Sequence, residues 1–371
     1  MPTRERVEDV IRQTMLPRPC PCTAVLLVFL VTGAAGCQRP AERVFEFSTD
    51  ASSRAGLVAL SDGVVVSNEA GAVLRLTRIG EPLWRVKFAQ EVAALPTVAA
   101  DSVLVGTVGG ELASLALPDG AERWRLTGEP PVLTALVSDA TSLYVLGPDG
   151  AVRAHALDTG KVRWKRPPPK EEEARLEPGQ RLPAPVLAGE VLVVALGEAG
   201  LVGLSTVNGA VRWRRALPQV LGMTHEADVV YVSTRNGRVA ALGSSDGSPR
   251  WEQTPAPRLT SPPTYAQGSL WVGAEPSRLL ELAPADGKQL SATSLPAALV
   301  TQLTVHGDLL LVPTSGREGQ LLGLRRQAAA PAFSLRADTP LRTAPIVMGD
   351  QLFVLGLDGR VLSWSIRTPA P

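Results

Sequence analysis

His155, His225 and His306 are the only imidazoles in the chain. Imidazole binds metal ions and moves protons near neutral pH. A metal site needs ligands at defined distances with supporting hydrogen bonds behind them. These three are far apart in sequence: His155 reads as part of a third strand, His225 of a first strand, and His306 of a turn. They could converge only along a shared axis. Asp149, Asp158, Asp246, Asp286 and Asp358 sit beside Gly in turn-like segments. Asp in that place bonds the turn backbone. Calcium binding or acid–base chemistry would need several carboxylates gathered together, and the linear spacing gathers none. A Ser-His-Asp signature, a phosphate-binding Gly loop and an HExxH run are also lacking. No catalytic, metal or cofactor-binding residue is expected, and the histidines and aspartates read as ordinary structural groups.

Thiol chemistry is confined to the start. Cys20, Cys22 and Cys37 all lie in the first tenth of the 371 residues, so no disulfide framework runs through the chain. The apolar run Thr23 to Ala35, TAVLLVFLVTGAA, is too short to span a bilayer, which takes about 20 residues. It suits the core of a secretory signal, with Arg18 as its positive flank. Met15 is an alternative start, because Met15 to Gly36 alone has signal-peptide proportions. Ala34-Ala35-Gly36-Cys37 resembles a bacterial lipobox, with Ala34 where Leu is usual. Residues 1–36 therefore read as a removed signal, Cys37 as the lipidated residue, and 37–42 as a linker. Gln38 rather than Asp after the cysteine implies, by the sorting rule of Gram-negative bacteria, the outer membrane.

Those features require a folded domain to carry them. The 34 Gly and 32 Pro are heavy for a helical protein and natural for short strands joined by turns. Hydrophobic residues make up 45% and charged residues 20%, which supports a packed core. Removing residues 1–36 takes away four Arg and three acidic residues, leaving 33 charges of each sign. That balance argues against nucleic-acid binding.

Trp84, Trp124, Trp164, Trp213 and Trp251 recur at spacings of 40, 40, 49 and 38 residues. Each follows a turn-like segment such as PDGAERW or DTGKVRW. Two later copies keep the turn without the Trp, with Leu290 near its place in one and Phe333 in the other. Trp271 and Trp364 lie outside the register. A ligand site needs one cluster, whereas one aromatic per unit serves packing. Upstream of each turn, paired alternating runs flank a short turn ending in Gly71, Gly110, Gly150, Gly200, Gly237, Gly319 or Gly359. Asn-Gly and Asp-Gly there predict type I′ hairpins. Eight hairpins at about 42 residues per unit predict an all-β, eight-bladed propeller of four-stranded antiparallel blades. The last unit, Leu341 to Ile366, has three strands, and Arg43 to Ser48 reads as an orphan fourth. Its pairing with the last hairpin would close the ring and remove two open edges. Residues 43–371 thus form one domain. A loop at 166–181, RPPPKEEEARLEPGQR, interrupts it, either as a solvated insertion or as a docking loop. If the degenerate unit at 302–333 is no blade, the ring has seven.

The run Asp158-Thr159-Gly160 to Trp164 resembles the repeat of quinoprotein-like (PQQ-like) β-propellers, from about Arg43 to Ile366. The five tryptophans look like that superfamily's docking motif, which staples neighbouring blades. A lipid-anchored chain of this size and blade number is similar to the BamB family of the outer-membrane β-barrel assembly machinery. No contact residue of that family is carried over. The resemblance implies a non-catalytic scaffold without cofactor, anchored to the outer membrane and facing the periplasm. Its partners would be envelope proteins, the barrel-assembly complex or unfolded outer-membrane proteins, and the chain a monomer outside its complex. Two alternatives stand beside it: a PQQ-dependent quinoprotein oxidoreductase, and an interaction propeller of another envelope complex. Quinoprotein enzymes are typically longer and place calcium and a catalytic Asp over the quinone. No insertion here reads as an active-site cap.

Overall fold

Runs such as GVVVS at Gly63–Ser67 and VLVVA at Val191–Ala195 are buried along their whole length. Such strands bury side chains on both faces, so each sheet needs a neighbour on either side. The computed structural model describes residues 41–168, 182–326, 328 and 330–366. The signal, Cys37 and most of the 166–181 loop lie outside the described residues.

The strands form eight four-stranded antiparallel sheets. Blades 1 to 7 occupy residues 57–87, 97–126, 137–166, 186–215, 220–253, 264–294 and 304–336. Blade 8 combines residues 346–366 with the N-terminal strand Ala41–Ser48. First strands of neighbouring blades approach one another around the ring, so they line its axis and the fourth strands form its outer edge. The degenerate unit is a full blade, with strands Thr304–His306, Leu309–Pro313, Gln320–Arg325 and Phe333–Arg336. Eight blades stand, and seven is excluded.

Ring closure follows the sequence expectation. Ala41 pairs with Ile366 and Ser48 with Arg360, with a bulge at Val44. Pairing starts two residues inside the segment read as linker. The inserted loop likewise starts later than expected, because Arg166 still belongs to strand Val162–Arg166.

The core is divided into eight apolar clusters, one at each junction between blades. Val193, Leu201 and Trp213 of blade 4 meet Val230 and Val232 of blade 5. Phe353 and Leu355 of blade 8 meet Val64 and Leu74 of blade 1.

The hairpin turns differ from the type I′ expectation. Gly237 donates to the Thr234 carbonyl at 3.2 Å, and Thr234 donates to the Arg238 carbonyl at 2.9 Å. Gly237 has φ +91°, but Asn236 is not left-handed. This is a three-residue loop ending in a left-handed Gly, the G1-bulge pattern. In blade 6 the corresponding turn has no Gly, and Ser277 takes the left-handed place with φ +65°.

A Cβ on Gly237 would lie 2.0 Å from the Ala256 carbonyl oxygen, in the link to the next blade. Gly237→Ala should therefore lose about 2 kcal/mol or more from combined strain and clash. Gly189 also has positive φ but open space around it, so Gly189→Ala should lose only about 1 kcal/mol. Urea unfolding of both variants checks the contrast.

Candidate functional site: seams, rims and outer edges

Each of the five tryptophans stands on an outer strand and reaches into the next blade. The indole N–H groups of Trp84, Trp124, Trp164, Trp213 and Trp251 donate to the carbonyls of Leu117, Leu157, Thr206, Ser244 and Pro284. The distances are 2.9, 2.9, 2.9, 3.0 and 2.7 Å. Their rings lie on the glycine of the neighbour's last turn. A Cβ on Gly247, for example, would sit 2.6 Å from the Trp213 ring. Phe45 of the N-terminal strand fills the same role at the closing seam, where a Cβ on Gly80 would meet its ring at 2.5 Å.

The seam between blades 6 and 7 is built differently. Strand pairing places Ser291, not Leu290, opposite Glu281 in the tryptophan slot. Leu290 is the bulged residue beside it and is exposed. Glu281 is 1% exposed and accepts from the hydroxyls of Ser269 and Ser291, each at 2.8 Å. Arg326 of blade 7 reaches back to pair with it and donates to the Ser269 hydroxyl at 3.0 Å. A buried carboxylate is tolerable only with such partners. The sequence carries no local sign of this pair, since its members lie on different blades.

The histidines do not meet. His155 stands in the third strand of blade 3, His225 in the first strand of blade 5, and His306 ends the first strand of blade 7. His155 is fully buried, and its Nδ1–H donates to the Gly160 carbonyl at 2.9 Å. Burial pushes its pKa below 6.5, opposed by that bond and by Glu129. The five turn aspartates are split between opposite rims. Asp149 and Asp358 stand at the hairpins between second and third strands; Asp158, Asp246 and Asp286 stand before the outer strands. Asp149, Asp246, Asp286 and Asp358 accept the backbone N–H two residues on. Among the described residues no cluster of three or more His, Cys, Asp or Glu could hold a metal. The first strands around the axis, such as LVA, TVA, VLA and IVM, carry one carboxylate in all, Glu226. That donor set does not fit a calcium-held quinone.

Charge is organised on one rim. The turn between first and second strands carries an acid in seven blades: Asp62, Asp101, Asp139, Glu190, Asp228, Asp308 and Asp350. Blade 6 has Gln267 there. In blades 2 to 5 the outer strand bulges just before its Trp, and the bulged residue is Arg123, Arg163, Arg212 or Arg250. Arg123 pairs with Asp101, Arg212 with Glu190, and Arg250 with Asp228, while Arg163 donates to the Thr141 hydroxyl. Arg123 and Arg250 hold the carboxyls of Asp101 and Asp228 below the usual carboxylate range. In blade 3, burial raises the Asp139 pKa, but bonds from Tyr144 and the Thr141 and Ser142 amides outweigh it and leave it lowered. The Tyr144 hydroxyl is pushed up to about 12 by burial and by Asp139.

Fold and site together define a PQQ-like eight-bladed propeller whose described residues assemble no reaction centre. The family model described as outer membrane protein assembly factor BamB matches residues 69–221, 220–290 and 276–369. The chain belongs to that family. The BamB of Moranella endobia is 26% identical over 275 residues, covering 71% of this chain and 70% of that protein. The crystal structure of BamB from Moraxella catarrhalis superposes with a TM-score of 0.70 at 16% identity, covering 89% of this chain and 99% of that one. The quinohemoprotein alcohol dehydrogenase of Comamonas testosteroni gives 0.73 at 12% identity, covering 90% and 78%. At such identities the structural likenesses establish the fold alone.

Trp213 is 6% exposed. Trp213→Ala should cost about 3–5 kcal/mol, whereas Leu290→Ala, at an exposed bulge, should be near neutral by thermal unfolding. Burial disfavours the charged form of His155, so its pKa in the fold is lowered from 6.5. Its contribution is therefore complete above that value and lost as pH falls through it. In His155→Gln the decline in stability between about pH 7 and about pH 5 should be shallower than in the parent.

Proposed function

We propose that the chain is a non-catalytic scaffold of outer-membrane protein assembly, anchored by lipid on Cys37 and facing the periplasm. The family match running from residue 69 to residue 369 carries this reading. Residues 1–36 act as the removed signal and 43–371 as the working domain. The indole contacts of Trp84, Trp124, Trp164, Trp213 and Trp251 serve as blade staples, and the hairpin glycines let links between blades cross close above the turns. A repeated, rigid interior leaves the rims and outer strands free to bind.

The outer strands differ as docking edges. Edge strands guarded by charge resist pairing with another chain. Blades 2 to 5 carry Arg, Lys or Glu along the edge, as in ERWRL and VRWKR. The edge of blade 6, Gln289–Ser294, reads QLSATS and carries no charge. We propose that it accepts an extended segment of an envelope protein by strand addition.

Lipidated protein, used as bait on envelope extracts, should recover the assembly-barrel protein, and a deletion strain should show reduced outer-membrane protein levels. Recovery of nothing together with normal levels overturns the reading. Cys37→Ala should release the protein from membranes. Leu290→Lys with Ala292→Lys should weaken capture several-fold at unchanged melting temperature; undiminished capture removes the blade 6 edge as the docking site.

A further inference from the structure

The bulge before the outer-strand aromatic is one structural slot repeated around the ring. In blades 2 to 5 it holds an arginine tied to the neighbouring turn. In blade 8 it holds Val44 and in blade 1 Leu83, which are 42% and 50% exposed. Blade 6 holds Leu290 there. In blade 1 the acid of the turn, Asp62, is held instead by Arg75 at 2.6 Å, which leaves the slot free of charge. Ile79, 62% exposed, stands in the adjoining turn, whose Gly80 lies against the Phe45 ring beside Val44. Val44, Ile79 and Leu83 therefore stand exposed at one rim on the two blades that flank the closing seam. On the far side Val162, Val207 and Val211 are exposed as well, Val207 at 75%; Val162 and Val211 are each followed directly by an arginine, and all three stand on blades 3 and 4, away from the chain's entry at blade 8.

That rim of the closing seam is next to where the chain enters the fold. Ala41 pairs with Ile366, whose N–H donates to the Asp350 carbonyl at 2.6 Å. Arg78, directly before Ile79, donates to the Met348 carbonyl at 2.6 Å in the same corner. Three residues lie between Cys37 and Ala41, so the four Cα-to-Cα steps reach about 14 Å at full extension. If the acyl chains on Cys37 lie in a bilayer, this corner of the rim cannot leave its headgroup layer by more than that. Apolar side chains held at a lipid interface are stabilised by partial burial there.

We infer that Val44, Ile79 and Leu83 form a second, non-covalent contact with the phospholipid surface, which fixes the tilt of the propeller on its membrane. The inference rests on the lipid-anchor reading of Cys37. Nearby charges are mixed, Arg43, Arg78 and Arg85 against Glu42, Glu46 and Glu81, so the contact does not depend on anionic lipid.

The test uses the lipidated chain in phosphatidylethanolamine–phosphatidylglycerol vesicles. The mature chain has no thiol besides Cys37, so Ile79→Cys and Asn236→Cys each give one labelling site, the second on the opposite rim. A nitrobenzoxadiazole label at 79 should emit further to the blue and be quenched by headgroup-nitroxide lipid, and the label at 236 should do neither. Inserting about 12 Gly and Ser residues between Gln38 and Arg39 should reduce the quenching at 79 several-fold while the protein stays vesicle-bound. A label at 79 that stays in water on anchored protein overturns the inference alone. A blue shift without lipid quenching also overturns it, by showing that protein covers the edge. Failure of metabolic palmitate to label Cys37 overturns the anchor reading, and the inference with it.

Discussion

Every blade has two apolar faces and must bury both. A lone four-stranded sheet of this composition would leave a wall of Val, Leu and Ala in water. The ring answers that demand by giving each face a neighbour, and the core is accordingly eight seams rather than one centre. The same demand explains the long-range step in the fold. Blade 8 has only three strands of its own, so Ala41–Ser48 must return across the whole sequence to complete it. Phe45 then supplies the aromatic that the last seam would otherwise lack, against Phe353 at 5.9 Å and Gly80. Closure of the sheet and closure of the ring are thus one event.

The seam between blades 6 and 7 shows how far that scheme can be varied. A tryptophan stabilises its seam through buried area plus one satisfied N–H. Glu281 brings a desolvation cost instead, offset by Arg326 and two serine hydroxyls. Continuum reasoning gives such a pair little net advantage over an apolar substitute. Removing one member, however, leaves an uncompensated carboxylate inside the wall. The seam is therefore intolerant of single changes without being especially strong, unlike the seam between blades 5 and 6, where losing the Trp251 indole leaves a cavity and one carbonyl without its donor but no buried charge.

The sequence made the repeat legible because the features that mark it are local. Tryptophan spacing, Gly-ended hairpins and alternating runs each report on one unit, and the orphan strand followed from counting strands. Features that depend on a single-residue register were not legible. The loop before Gly237 has three residues rather than two, and nothing in the spacing separates those cases. The bulge that swaps Leu290 for Ser291 turns one side chain from wall to solvent. Glu281 and Arg326 lie outside any motif, and only the curvature of the ring brings them together. The candidate site suffers from the same limit. The arginine slots are visible as Arg before Trp, but their partners are turn acids some 22 residues upstream.

A wall repeated eight times cannot by itself distinguish one partner from another, since each seam presents much the same interior. Any specificity must come from where the repeat breaks, and the breaks lie on the perimeter. Blades 2 to 5 present a charged, self-paired outer edge. Blade 6 presents an uncharged strand, and blades 8 and 1 an apolar corner beside the point where the chain enters. Charge pairing within the edge suits a face that should not associate, while an unguarded strand and an apolar corner are costly to leave in water unless something covers them. Paired charge thus marks the outer strands of blades 2, 4 and 5, and uncharged side chains fill the corresponding bulges of blades 1, 6 and 8. Among the described residues the side chains that differ most between blades at one shared position, Val44, Leu83 and Leu290 against Arg123, Arg163, Arg212 and Arg250, stand at outer-strand bulges and not on the first strands around the axis.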